Sequence, residues 1–240
     1  MRFIRLLHKW VGLIAGLQMC LWLVSGLVMS LLDHHVVSGD STAAEQTPAV
    51  LAPGETLLDP QQLLSAYAPE AVQTIELQRS LGGWVWRVQS ASGVRLHDAT
   101  TGTVVTIDAA RARALADAGR AGDAEPGAAT LLDTPTLEAR DHALPLWRVD
   151  FNDAQKTRYY IAADDGRILE RRTGDWRVFD VFWMLHTMDY RGRDDFNHPL
   201  VITFAFLSVW LALSGVLLLF PTFRRELKQT TKSTENAENT

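Results

Sequence analysis

The chain has 240 residues, a formal net charge of −5 and one cysteine, Cys20. One cysteine excludes an intrachain disulfide and a cysteine-based metal cluster, and no nucleic-acid partner is expected at this charge. The apolar residues are segregated: Trp10 to Leu32 and Leu200 to Phe220 are each long enough to cross a bilayer as a helix. The polar stretch of about 165 residues between them suffices for one domain or two small ones.

Arg2, Arg5 and Lys9 precede the first apolar run. The run is longer than the core of a signal peptide, and Asp33-His34-His35 follows it in place of a small-x-small cleavage site, so a retained anchor is expected. Cys20, inside the run, reads as a small apolar filler. His8, Gly12 and Gly16 are spaced four apart and share a helix face. Two readings stand. The glycines let another helix approach while His8 points to water, or His8 is a metal ligand facing a planar macrocycle for which the glycines leave room. Gln18, Ser25 and Ser30 are expected to face other helices. Trp22-Leu23-Val24-Ser25-Gly26 is echoed by Trp210-Leu211-Ala212-Leu213-Ser214-Gly215 in the second run, which suggests small residues at a helix contact. From His8 to His34 a continuous helix would cover roughly 39 Å, so the two cannot share a metal. His34, His35, His186 and His198 are expected at one level, just outside the bilayer.

Val36 to Pro53 is rich in Ser, Thr, Ala, Gly and Pro and reads as a flexible or extended linker. A helix is expected from Asp59-Pro60 to Tyr67. Strands follow at Val72 to Leu77, Trp84 to Val88 and Val94 to His97, with turns at Gly82-Gly83 and Thr101-Gly102. Val104 to Ile107 leads into a helix from Ala109 to Ala118, and Gly119 to Gly127 reads as a loop. A related order recurs, with strands at Leu146 to Phe151, Thr157 to Ala162 and Arg167 to Arg171. Trp86-Arg87-Val88 and Trp147-Arg148-Val149 are the matching points. Asp164-Asp165-Gly166 reads as a solvated turn. His97 and His142 read as ordinary surface or core residues, and Trp84, Trp86 and Trp147 as core packing or contacts to a docked partner.

Phe179, Phe182, Trp183 and His186 fall on one face of a helix expected over Asp175 to Tyr190, with Asp175 as N-cap or first-turn charge. That helix reads as a membrane-surface anchor, with His186 either incidental or a ligand. Arg191 and Arg193 could pair with Asp194 and Asp195, touch lipid phosphates or grip cofactor carboxylates. Arg224, Arg225, Lys228 and Lys232 follow the second run. Basic residues mark the cytoplasmic side, so both termini are expected inside and residues 33–198 outside. The tail after Glu226 is expected to be disordered.

Arg5-Leu-Leu-His8-Lys-Trp10-Val-Gly12, the paired Trp-Arg-Val units, Trp183-Met-Leu-His186-Thr-Met-Asp-Tyr190 and Asn197-His198-Pro199 resemble the PepSY-associated transmembrane family. The resemblance covers about residues 2–225. It implies an α+β membrane protein of the bacterial inner membrane, with two spans flanking a periplasmic PepSY-like domain of antiparallel sheet and helix. The expected divisions are 1–35 (first span), 36–54 (linker), 55–127 and 128–174 (PepSY-like units), 175–198 (interfacial helix and loop), 199–222 (second span) and 223–240 (tail). Larger members of the family include ferric-siderophore reductases that hold haem b through histidines between their helices. The resemblance therefore implies transmembrane electron transfer in iron acquisition. His8 resembles the family's inner-side histidine and His186 an outer-side one; His34, His35 and His198 match less closely. Gly12, Gly16, Arg191 and Arg193 complete the implied cofactor surroundings.

The larger members have four spans and this chain two, so a homodimer or larger complex is implied, with His8 of each copy flanking an inner haem. No Gly-rich turn suited to flavin or nicotinamide occurs. The implied donor is a separate cytoplasmic protein or quinol, and the implied acceptor a ferric siderophore or other periplasmic species. PepSY domains also resemble modules that bind or restrain peptidases. A membrane-anchored binding module without cofactor is therefore the alternative.

Overall fold

The computed structural model describes residues 2–45, 48–67, 71–195 and 197–238, with side chains as far as Pro221. Gln46 and Thr47 of the expected linker, Ala68 to Glu70 of the first expected unit, Phe196 and the last two tail residues lie outside the described residues. The chain forms two compact units, residues 1–31 with 179–240, and residues 32–178.

The first unit is helical. It contains α1 (Arg2–Leu31), α6 (Pro199–Glu238) and most of α5 (Gly174–Thr187). Two helices, Arg2–Leu31 and the stretch Pro199–Pro221 of α6, are long and apolar enough to cross a membrane. Neither is a buried core helix. Leu23 and Phe206 are each 73 % exposed, as are many of their apolar neighbours. Such a surface suits hydrocarbon, where a helix satisfies its own backbone groups. His8 lies against Ser214 and Gly12 against Leu211, so the helices run antiparallel. The expected disorder after Glu226 is corrected: the helical backbone continues past Pro221 to Glu238. No further proline and no glycine interrupts that stretch.

The second unit holds two antiparallel four-stranded meanders. The first is β1 (Val72–Ser80), β2 (Gly83–Ser90), β3 (Gly93–Asp98) and β4 (Val104–Val105); the second is β5 (Pro126–Leu132), β6 (Leu146–Phe151), β7 (Arg158–Ala162) and β8 (Ile168–Arg172). The Trp-Arg-Val triplets occupy the second strand of each sheet. Between the sheets in sequence lies α4 (Ala109–Ala118), capped by the Asp108 carboxylate, which accepts from Arg111 N. Its small inward residues, Ala112 and Ala116, let it pack into one core with Val85, Leu96, Val149, Tyr159 and Ile161. α3 (Pro60–Tyr67) covers the other face of the first sheet through Leu63 and Tyr67, against Val88 and Trp86. Tyr67 Oη lies 2.6 Å from His97 Nε2, so His97 is a core residue.

Four expectations change in this unit. Part of the stretch read as a loop is β5. Its first residues are Pro126, Gly127, Ala128 and Ala129, and it is mostly exposed, so it lacks the large alternating side chains that mark a strand. The beginning of the linker is folded: Gly39 adopts φ 79°, and a Cβ there would lie 2.3 Å from Arg171 O. Thr42 O accepts from Tyr159 Oη at 2.8 Å. Asp165 is buried, because it accepts from Arg87 Nε at 3.0 Å and Arg167 Nε, tying the first sheet to the β7–β8 turn. At the start of α5 the cap is Thr173, whose Oγ1 accepts from Trp176 N, while Asp175 sits in the first turn.

Glu138 is the hub on the outer face of the second sheet. It binds Arg158 and Arg177 through Oε1 and Tyr160 through Oε2, while its backbone oxygen takes Arg172 Nε. Burial pushes its carboxyl up, but the hydrogen bonds of Arg177 and Tyr160 and the two guanidinium charges outweigh burial and hold it below its ordinary value. Burial, and then Glu138 itself, push the Tyr160 phenol up to about 12. A depressed carboxyl stabilises the fold fully above its unfolded pKa and loses that contribution as pH falls through the folded value. Glu138→Gln is therefore expected to cost about 2 kcal/mol at pH 7 and to flatten the acid limb of stability below pH 4.5. Thermal unfolding of the detergent-solubilised protein across pH checks both.

Candidate functional site

Two similar arrangements join α1 to its neighbours, one towards each end of the helical unit, with α6 at the first and α5 at the second. At the first, His8 leaves α1 and its Nδ1 lies 2.8 Å from Ser214 Oγ. Ser214 is buried and donates its hydroxyl to Leu211 O at 3.1 Å. A Cβ at Gly215 would lie 3.4 Å from His8 Cε1, and the Trp210 ring stands 6.4 Å from the His8 ring. At the second, His186 leaves the last turn of α5 and its Nδ1 lies 3.1 Å from Ser25 Oγ. Ser25 is buried and donates to Leu21 O at 2.6 Å. A Cβ at Gly26 would lie 3.4 Å from His186 Cε1. In α1, His8 and Ser25 are roughly 25 Å apart along the axis.

The sequence echo of Trp-Leu and Ser-Gly thus has a structural meaning that periodicity does not supply. Each Ser-Gly pair receives a histidine ring from another helix. The serine supplies a polar contact and the glycine leaves room for the ring edge. Among the described residues, Nε2 of His8 and Nε2 of His186 make no hydrogen bond, and neither ring touches a second histidine.

His186 also borders an apolar groove of roughly 620 Å³, whose walls include Met19, Trp22, Leu23, Trp183 and Val201. That volume lies in the range of small-molecule and cofactor sites. No group of three or more His, Cys, Asp or Glu that could hold a metal ion occurs among the described residues.

The other expected site residues fall elsewhere. Gly12 faces Leu211, whereas a Cβ at Gly16 would meet nothing within 4 Å. Gln18 is buried, and Ser30 is exposed and bonded to Leu27 O. His34 and His35 are exposed on the single turn α2 (His34–Val37), capped by Asp33. His198 caps α6, with its Nδ1 accepting from Leu200 N at 3.3 Å and its carbonyl from Ile202 N at 3.2 Å. Arg193 pairs with Asp180, and its carbonyl accepts from Trp183 Nε1 at 2.9 Å. Arg191 is exposed. Trp147 Nε1 donates to Ile107 O and Trp84 Nε1 to Glu55, so both have structural partners.

Asp189 is the residue that periodicity misses. It is buried, and its two oxygens accept from the backbone N–H groups of Arg191, Gly192, Asp194 and Asp195. These bonds wind the α5–α6 loop around one carboxylate. They also hold the left-handed backbone at Met188 (φ 57°) and Arg193 (φ 63°), which side-chain-bearing residues rarely adopt. Burial pushes the Asp189 carboxyl up, but the four backbone donors prevail and hold it at about 2.

In sequence, two apolar helices of spanning length flank an α+β unit, which is the arrangement of a membrane protein with two spans. A family model described as the PepSY-associated TM region matches residues 5–239. The chain belongs to the PepSY-associated transmembrane family. No curated protein and no solved structure matches it.

Because the Asp189 pKa is depressed, its contribution to stability is complete above about pH 4 and is lost as pH falls towards 2. A carboxyl titration of Asp189 by NMR is expected to have its midpoint near 2. Asp189→Ala is expected to open the loop, so that trypsin cuts after Arg191 and Arg193 where the parent protein resists.

Proposed function

We propose that this chain is a haem b electron-transfer protein of the bacterial inner membrane. It carries electrons from a cytoplasmic or quinol donor to a periplasmic acceptor, with a ferric siderophore as the acceptor class that family resemblance favours. The observation that carries the reading is the pair of Ser-Gly-cradled histidines, one towards each end of the helical unit, each with Nε2 free of hydrogen bonds among the described residues. Free imidazole nitrogens, a glycine beside each ring and an apolar groove at His186 fit a flat, apolar, iron-bearing ligand.

In this reading both termini are cytoplasmic, following the basic residues, and residues 33–198 are periplasmic. His8 then belongs to the inner face and His186 to the outer. A bound haem would supply one-electron chemistry at its iron. The chain's own residues would hold one at each end: His8 and His186 would each offer a ligating nitrogen to a separate haem, Gly215 and Gly26 would keep the imidazole edges clear, and Met19, Trp22 and Trp183 would exclude water beside His186. Each site would need a second histidine, which a second copy of the chain would supply across a two-fold axis. His198, the other outer histidine of the helical unit, is ill suited to complete an outer site, since its Nδ1 already caps α6.

The test is the oxidised and dithionite-reduced absorption spectrum of protein purified from cells supplied with haem and iron. A sharp reduced α-band is expected. His186→Ala and His8→Ala are each expected to remove a part of it, and Gly26→Leu to act like His186→Ala by displacing the ring. A haem-free spectrum with intact folding refutes the reading and leaves the cofactor-free binding module.

A further inference from the structure

A serine hydroxyl has one proton to give. Ser25 gives its proton to Leu21 O and Ser214 gives its to Leu211 O, both within their own helices. Each oxygen can then only accept from the histidine that faces it. His186 Nδ1 and His8 Nδ1 are at hydrogen-bond distance from those oxygens, so with the hydroxyl protons on the carbonyls the neutral rings carry their proton on Nδ1. The lone pair is left on Nε2.

We propose that Ser25 and Ser214 are positioning residues that fix His186 and His8 as Nδ1–H tautomers, presenting a bare Nε2 to an axial metal-binding position. The value of this arrangement for ligation rests on the haem reading above; the tautomer itself does not. Ser hydroxyls in membrane helices often bond back to their own backbone with no further role. Two features set these apart. The arrangement occurs twice, and each time the next residue is a glycine whose missing side chain admits the same ring edge, at 3.4 Å from Cε1. It is also exchanged between elements, since α1 supplies His8 to Ser214 of α6 and receives His186 of α5 on Ser25. Hydrogen bonds to the far nitrogen of a ligating histidine set its tautomer and orientation.

The sequence carries this pairing only as an echo of Ser-Gly after Trp-Leu. His198 provides the contrast. Its Nδ1 accepts from Leu200 N, which requires the proton on Nε2. On this proposal the histidines of the helical unit separate into two that offer Nε2 and one that does not.

The first test uses haem-free protein in detergent at a pH where the rings are neutral. Histidine ¹⁵N shifts distinguish the two tautomers. Both His8 and His186 are expected as Nδ1–H. Ser25→Ala is expected to release His186 to the Nε2–H form while leaving His8 unchanged, and Ser214→Ala to do the reverse, so each variant carries its own control for folding. An Nε2–H ring at either position in the parent protein, or a serine variant whose ring keeps its tautomer, overturns the proposal. In haem-loaded protein the same variants are expected to weaken haem retention at the affected site by about ten- to a hundredfold. Unchanged retention after a changed tautomer overturns the positioning role. If the parent protein holds no haem, it is the haem reading that fails, and the tautomer result stands or falls separately.

Discussion

Within hydrocarbon a polar side chain that turns towards a neighbouring helix has no water to replace a missing partner. The contacts of α1 with α6 and α5 are arranged around that constraint. Ser25 and Ser214 are among the few polar residues in the spans, both are buried, and both are satisfied twice, by a backbone carbonyl and by an imidazole nitrogen. Leucine-rich outward faces specify only that the helices stay in the membrane. The serine–histidine bonds and the glycines beside them specify which residues face each other.

The α5–α6 loop extends the same economy of donors. Four backbone N–H groups that would otherwise need water converge on Asp189. Arg193 folds back onto Asp180 and, through its carbonyl, onto Trp183. The result is a loop whose geometry is set by one carboxylate, and it is this loop that joins the helix bearing His186 to the second span.

Much of the fold could be read from the sequence where side-chain size and spacing carry the signal. The helix over Ala109–Ala118 is bounded as its alanine-rich face and the Asp108 cap require. The two Trp-Arg-Val strands take equivalent places in two meanders. β5 could not be read, because small, exposed residues leave no alternation. Asp165 and the start of the linker could not be read either: a turn-forming Asp-Asp-Gly and a Gly-Asp-Ser-Thr segment look solvated until the partners Arg87, Arg171 and Tyr159 arrive from elsewhere in the chain. His8 and His186 were legible as histidines at helix ends. Their receptors were not, because the relevant serines lie 206 and 161 positions away and are fixed only by tertiary packing.

α1 is pinned at two separated levels, by its own histidine on α6 and by its own serine under the histidine of α5. A slide along its axis by a single turn, about 5.4 Å, would leave both rings facing the wrong residues at once. The two ends of the span therefore share one mechanical coordinate. A slide of α1 that released the ring at one end would release the ring at the other, and the pair behaves as a vernier that reads correctly at only one setting of that helix.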